Sequence, residues 1–169
     1  QGQVKITGVC KAKTIKLHSV DTKITQVLMD GQKLDFKYLE QDGILEIYLP
    51  DDVAENSQIT IEIDFHNRLK YTLAGVYIST YQHQGEEHRL VVTQFESHYA
   101  RNCFPCVDEP AAKAIFEIAI TQPNKKDTVL SNMPVREQKG KTTIFEPTPK
   151  LYTYLVAFVI GAFKRRNIT

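Results

Sequence analysis

The sequence predicts an all-β protein made of layered, mostly antiparallel sheets in a sandwich-like arrangement. Three observations carry that expectation. Ile59–His66 alternates apolar and polar residues strictly, the period of a strand with one face on a core and the other in solvent. Strand candidates recur at short intervals along the rest of the chain, with turn-forming residues among them. Helical signal is confined to one short stretch, Asp108-Glu109-Pro110-Ala111-Ala112-Lys113, where an acidic residue precedes Pro and two Ala, as at a helix start.

Taken in order, Ile24–Met29 reads as a strand that ends at the turn signal Asp30-Gly31. Asp42-Gly43 separates a Leu34–Leu39 segment from a strand at Ile44–Leu49, which Pro50 stops. These pieces predict two hairpins in a meander. In the second half Gly75–Tyr81, His88–Glu96, Ile115–Thr121, Thr142–Phe145 and Tyr152–Phe158 read as strands. The long apolar stretches in His88–Glu96 and Tyr152–Phe158 predict cover on both faces. No repeat, low-complexity tract or linker interrupts the pattern, so the expectation is a single domain over 1–169.

Composition narrows the function. The chain has 169 residues, 21 Lys plus Arg against 20 Asp plus Glu, and a formal net charge of +1. That balance argues against a dedicated nucleic-acid binder; the one basic cluster is Lys164-Arg165-Arg166. The longest apolar run, Leu151–Phe163, has 13 residues, short of the roughly 20 a bilayer core requires. The expectation is no membrane association. The start carries no basic stretch leading into an apolar one, so no signal peptide is read. The first residue is Gln1 rather than Met, which suggests a piece of a longer parent. Three cysteines, an odd and low number, argue against a secreted disulfide framework and for a reducing, cytoplasmic location.

Common catalytic motifs are missing: no GxxxxGK[ST], no GxGxxG, no GxSxG and no HExxH. His83-Gln84-Gly85-Glu86-Glu87-His88 superficially resembles the inverted zinc motif HxxEH. Its second His falls one position late, however, and Gly85 opposes a helix, so the segment reads as a polar hairpin turn. Cys103-Phe104-Pro105-Cys106 could be a redox pair or half of a zinc site. A redox pair wants a strand–helix context, and a zinc site wants two further ligands, for which His98 and Cys10 are the candidates. The β pattern favours two reduced, packed cysteines around a rigid Pro turn.

One constellation carries more information. Thr93-Gln94-Phe95-Glu96 runs into a loop dense in polar groups, with His98, Arg101, Asp108 and Glu109. Composition leaves two readings open, a ligand site at a strand end or an Arg–carboxylate network that ties down a long loop.

The run TQFESHYARNCFPCVDEPAAKAIFEIAI over 93–120 closely resembles the signature of the aminopeptidase N (gluzincin) family of zinc peptidases. That signature reads approximately TQFEPxDARRAFPCFDEPAxKAxFxI. Leu73-Ala74-Gly75-Val76-Tyr77-Ile78-Ser79 resembles the family's LxGxYxS element, and Leu130-Ser131-Asn132-Met133-Pro134-Val135 its SNMP turn. Phe145–Phe158 is similar to FxxTPxMSTYLVAF, and Ile15-Lys16-Leu17-His18 to IxLHxxxL. The resemblance covers nearly the whole chain, in order. Ser97, His98-Tyr99 and Asn102-Cys103 depart from it, while Gln94 and Glu96 match.

The resemblance implies a saddle-shaped N-terminal β-domain, starting after the family's opening strand and stopping before a thermolysin-like catalytic domain. It places the zinc ligands, the general-base glutamate and the exopeptidase loop in that next domain, so no catalytic residue, metal ligand or cofactor is expected in this chain. By the same match Gln94 lines the pocket for the substrate's first side chain and Glu96 binds its free α-amine. Arg101, Asp108 and Glu109 would support the site loop. The implied partners are a peptide N-terminus and the catalytic domain. The implied function is substrate anchoring for a zinc metallo-aminopeptidase, inactive alone. A non-catalytic interaction scaffold on the same fold is the alternative, and an unrelated adhesion or carbohydrate-binding sandwich finds no residue in its favour. A face freed of its catalytic domain would be partly apolar, which predicts self-association at high concentration.

Overall fold

The computed structural model describes residues 1–122, 124 and 126–163. The basic cluster Lys164–Arg166 lies outside the described residues. The chain divides into two compact units, one of Gln1–Arg68 with His98–Asp108, the other of Leu69–Ser97 with the chain from Glu109 onward. Both units are built of β-strands, and among the described residues every strand ladder is antiparallel.

The first unit contains β1 (Gly2–Val9), β2 (Thr14–His18), β3 (Thr22–Met29), β4 (Gln32–Lys33), β5 (Phe36–Leu39), β6 (Ile44–Tyr48) and β7 (Gln58–Asn67). They form a four-stranded sheet in the order β1-β7-β3-β4 and a three-stranded sheet in the order β2-β6-β5. The alternation at Ile59–His66 is realised in β7: Ile61, Ile63 and Phe65 are buried, while Thr60, Glu62 and Asp64 keep partial exposure. Ile61 and Ile63 join Leu17, Val27, Leu45 and Ile47 in one apolar core that also takes in Cys10, Leu34 and Leu49. Burying each of the Val, Leu and Ile side chains contributes about 1.5–3 kcal/mol. The opposite face of the β1–β7 pair is polar, with Gln3 bonded to Asp64 at 2.8 Å, Lys5 to Glu62 at 2.8 Å and Thr7 to Thr60 at 2.9 Å.

Both predicted hairpins form, but they do not make a meander. Asp30 and Gly31 have φ of 51° and 79°, the two positive values of a type I′ turn, and join β3 to β4. The Asp42-Gly43 turn joins β5 to β6, in the other sheet. Leu34 causes the change of sheet. It is 7% exposed and its N–H donates to Val27 O at 3.0 Å, so the chain turns inward after β4; Tyr48 N–H then donates to Asp35 O at 3.0 Å on the far side.

The second unit contains β8 (Gly75–His83), β9 (Glu86–Gln94), β10 (Lys113–Ala114), β11 (Ala119–Thr121), β12 (Thr128–Ser131), β13 (Val135–Lys139), β14 (Thr142–Phe145), β15 (Leu151–Tyr152) and β16 (Phe158–Gly161). Its sheets run β12-β16-β9-β8, β11-β14-β13 and β10-β15. Val76, Phe95, Val129, Phe145 and Val156 are its buried apolar residues. The polar segment 83–88 is a tight hairpin turn, as read from sequence, with Gln84 and Gly85 at φ of 54° and 81°. The predicted helical stretch at 108–113 is a single turn, closed by Ala112 N–H donating to Glu109 O at 3.0 Å.

Three expectations change. Tyr152–Phe158 is not one strand: a 3-10 turn at Thr153–Leu155 separates β15 from β16. Asn132 causes the break, because its amide donates to Leu155 O at 2.8 Å and accepts from Ala157 N–H at 2.8 Å, taking backbone groups that a ladder would otherwise use. In Ile115–Thr121 only the last three residues pair as a strand, since Phe116 N–H goes to the Thr148 hydroxyl at 2.9 Å instead. The strand read over His88–Glu96 is β9, Glu86–Gln94, and it is half-buried on both faces rather than covered, with Leu90, Val91 and Val92 all of intermediate exposure. Among the described residues no helix is long and apolar enough to cross a membrane.

Candidate functional site

Gln94 is the last residue of β9 and pairs with Gly75 at the start of β8. Thr93 anchors this strand end, donating its hydroxyl hydrogen to Phe158 O at 3.3 Å and accepting from Phe158 N–H at 3.0 Å. Strand alternation then sorts the next three side chains. Phe95 is 2% exposed, whereas Gln94 and Glu96 on either side of it are exposed. The buried ring therefore fixes the backbone between two solvent-facing polar side chains, one neutral and one acidic. The Glu96–Ser97 peptide bond is cis.

After Ser97 the chain enters the first unit. His98 and Tyr99 stack with ring centroids 4.8 Å apart. A 3-10 turn follows at Ala100–Asn102, with Ala100 fully buried and its carbonyl accepting from Cys103 N–H at 2.8 Å.

The Arg101–Asp108 pair closes this loop. Arg101 Nε donates to Asp108 Oδ2 at 3.0 Å, its backbone N–H donates to the same oxygen at 3.1 Å, and Nη2 donates to the Asp108 carbonyl at 2.8 Å. The Asp108 side chain is 2% exposed and that of Arg101 21%. Such a charge-assisted fork is stronger than neutral hydrogen bonds and leaves no unpaired buried charge. Two residues outside the sequence-read set complete the brace. His18 Nδ1 accepts from Asp108 N–H at 3.2 Å, and Asn67 donates its side-chain amide to Asn102 O. His18 lies inside a quoted motif, Ile15–His18, which was the available signal; Asn67 carried none.

The first unit thus holds Arg101 and Asp108, while Gln94, Glu96 and Glu109 belong to the second. Glu109 opens the single turn that ends at Ala112, with an exposed side chain.

Cys103 and Cys106 are free thiols, as is Cys10. Cys106 is pinned by a two-way backbone bridge to His18, at 2.8 and 3.1 Å. Burial pushes the Cys103 thiol up to about 12. Burial raises the Cys106 thiol well above the ordinary range too, with the Asp108 carboxylate adding to it. Burial thus favours the neutral thiol at both positions, whereas a redox pair or a metal site needs the thiolate. Among the described residues no three His, Cys, Asp or Glu side chains come close enough to hold a metal ion. The described residues therefore offer no zinc centre built from three or more such side chains.

Comparison with known proteins agrees with the motif resemblance. A sequence profile of the peptidase M1 N-terminal domain matches residues 1–155. The chain is 42% identical to an aminopeptidase N of Lactococcus lactis subsp. lactis over 168 residues, covering 95% of this chain and 19% of that protein. It is 37% identical to an aminopeptidase M1-B of Oryza sativa subsp. japonica over 150 residues, covering 82% of this chain and 17% of that protein. It is 40% identical to an aminopeptidase M1 of Arabidopsis thaliana over 128 residues, covering 73% and 14%. The chain spans less than a fifth of the length of these relatives. The match over most of its length, together with an all-β architecture, places this chain in the peptidase M1 N-terminal domain family.

Proposed function

We propose that this chain is the substrate-anchoring N-terminal part of a zinc metallo-aminopeptidase that removes N-terminal residues from peptides. The observation that carries the reading is the side-chain sorting at the end of β9: Glu96 is exposed, on a backbone held by buried Phe95. An α-amine has a pKa of about 8 and is largely cationic at neutral pH. A carboxylate fixed on such a strand end makes a charge-assisted hydrogen bond to it. In this reading Glu96 binds the ammonium group and Gln94 contacts the first side chain. Arg101 and Asp108 hold the segment that continues from Ser97, and Glu109 follows them in the chain. The zinc and the bond-breaking groups belong to the remainder of the whole protein, which forms the other partner. The exposed apolar residues Leu69, Tyr71 and Leu73 of the second unit, 40%, 63% and 75% exposed, suit contact with that remainder.

The test is Glu96→Ala and Glu96→Gln in the whole protein, assayed on aminoacyl anilides. A hydrogen bond to a charged group is worth about 1.5–3 kcal/mol, so KM rises roughly 10- to 100-fold. Thermal stability stays unchanged, because Glu96 is exposed. A KM within twofold of the unsubstituted protein's in both variants would overturn the assignment. A whole protein that is inert with zinc supplied would favour the non-catalytic scaffold.

A further inference from the structure

We propose that the tip of the β8–β9 hairpin binds one borderline divalent cation, Zn2+, Ni2+ or Cu2+, through the imidazoles of His83 and His88. The pairing register sets Tyr81 opposite His88 and His83 opposite Glu86. Residues 81 and 83 lie two apart on one strand, so all four side chains stand on the same face. The turn between the strands is held by the positive φ values of Gln84 and Gly85.

On this face the His83 and His88 rings have centroids 6.0 Å apart at an interplanar angle of 57°. Two imidazoles bound to one ion at about 2.0–2.1 Å have centroids within roughly 6.5 Å of each other, so small side-chain rotations suffice. His88 also stacks on Tyr81 at 5.1 Å and 21°, which restricts its ring to few orientations and lowers the cost of ordering it. Among the described residues neither imidazole makes a hydrogen bond or an ion pair, so their nitrogens are available. Glu87 points to the opposite face, where it pairs with Arg89 at 3.3 Å. Glu86, exposed and directly across from His83, adds negative charge to the site.

No third ligating side chain is in place among the described residues, so water completes the coordination. The ion is therefore exchangeable. Imidazole selects Zn2+, Ni2+ and Cu2+ over Mg2+ and Ca2+, which demand oxygen ligands. A bound ion staples two strands next to their turn and stabilises the folded chain by mass action.

The experiment titrates the chain with NiCl2, ZnCl2, CuCl2 and MgCl2, each alone, by calorimetry and by NMR of the imidazole protons. Ni2+ is expected to broaden His83 and His88 before His18, His66 and His98. His83→Ala and His88→Ala are each expected to weaken binding at least tenfold, and Mg2+ gives no heat. Should either alanine variant unfold, His83→Asn and His88→Asn replace them with the same expectation. Affinities within twofold of the unsubstituted chain, earlier broadening of the other three histidines, or no response to a tenfold excess of the three borderline ions would overturn the proposal.

Discussion

Arg101 and Asp108 are joined three times over within one loop. A single Asp108 carboxylate oxygen accepts both the Arg101 guanidinium at 3.0 Å and the Arg101 backbone N–H at 3.1 Å, and the Asp108 carbonyl accepts a second guanidinium hydrogen at 2.8 Å. Removing one partner leaves the other charge stranded.

Asp108→Ala is accordingly expected to destabilise the chain by about 3 kcal/mol. Broken buried pairs cost about 3–5 kcal/mol, and the guanidinium here retains partial access to water, which places the cost at the low end. Arg101→Lys keeps the charge but not the fork, and should cost less. Urea denaturation reads both. An Asp108→Ala midpoint equal to that of the parent chain would show that the fork contributes nothing.

The two raised thiols predict a pH dependence. An unfolded cysteine titrates near about 8.5, whereas folding holds the Cys103 thiol up to about 12 and raises that of Cys106 as well. The fold stabilises the neutral form, so this contribution is complete below the unfolded value. It disappears as pH climbs from about 9 towards 12. Iodoacetamide at pH 8 should leave both thiols unmodified in the folded chain and alkylate them once urea is added. Rapid labelling of the native protein would contradict the burial argument. Stability measured between pH 8 and 11 should fall more steeply in the parent than in Cys103→Ala/Cys106→Ala.

Gly43 and Gly31 both sit at positive φ, 63° and 79°, but only one of them is crowded. A Cβ at Gly43 would meet Val20 Cγ2 at 2.7 Å, while a Cβ at Gly31 would meet nothing within 4 Å. Gly31→Ala should cost the left-handed strain alone, about 1–2 kcal/mol. Gly43→Ala adds a clash with the half-buried Val20 side chain, worth about 1–3 kcal/mol. Thermal unfolding of the two variants should therefore rank Gly43→Ala as the less stable, and equal Tm values would refute the steric account.

The strands legible in the sequence are those whose pattern is set by local pairing. Ile59–His66 reads cleanly because β7 lies between β1 and β3 in its sheet, with one face on the core. The His83–His88 turn reads because Gly85 announces it. The strands β1, β2, β12 and β13 escape notice: in β1 the alternation is confined to Gln3–Thr7 between the glycines at 2 and 8, and in β13 every residue is exposed. The interruption at Thr153–Leu155 is invisible locally, because its cause, Asn132, lies more than twenty positions away. Motif resemblance singles out Gln94, Glu96, Arg101 and Asp108, and of these the structure joins Arg101 to Asp108, whereas composition alone left an anchor and a brace undistinguished. Asn67 was not legible at all, since a lone asparagine at a strand end gives no sign of the loop carbonyl it will reach.

The first unit is assembled from two stretches of sequence separated by an excursion, and its buried brace arrives with the second stretch. During synthesis the ribosome delivers the amino terminus first. The core strands up to Asn67 can collapse early, but the carbonyl of Cys106 that meets His18, and the carboxylate that holds Arg101, emerge some forty residues later. Nascent chains stalled before residue 108 should thus be more open to protease than those released just after it, so maturation of the amino-terminal half is timed by translation of the middle.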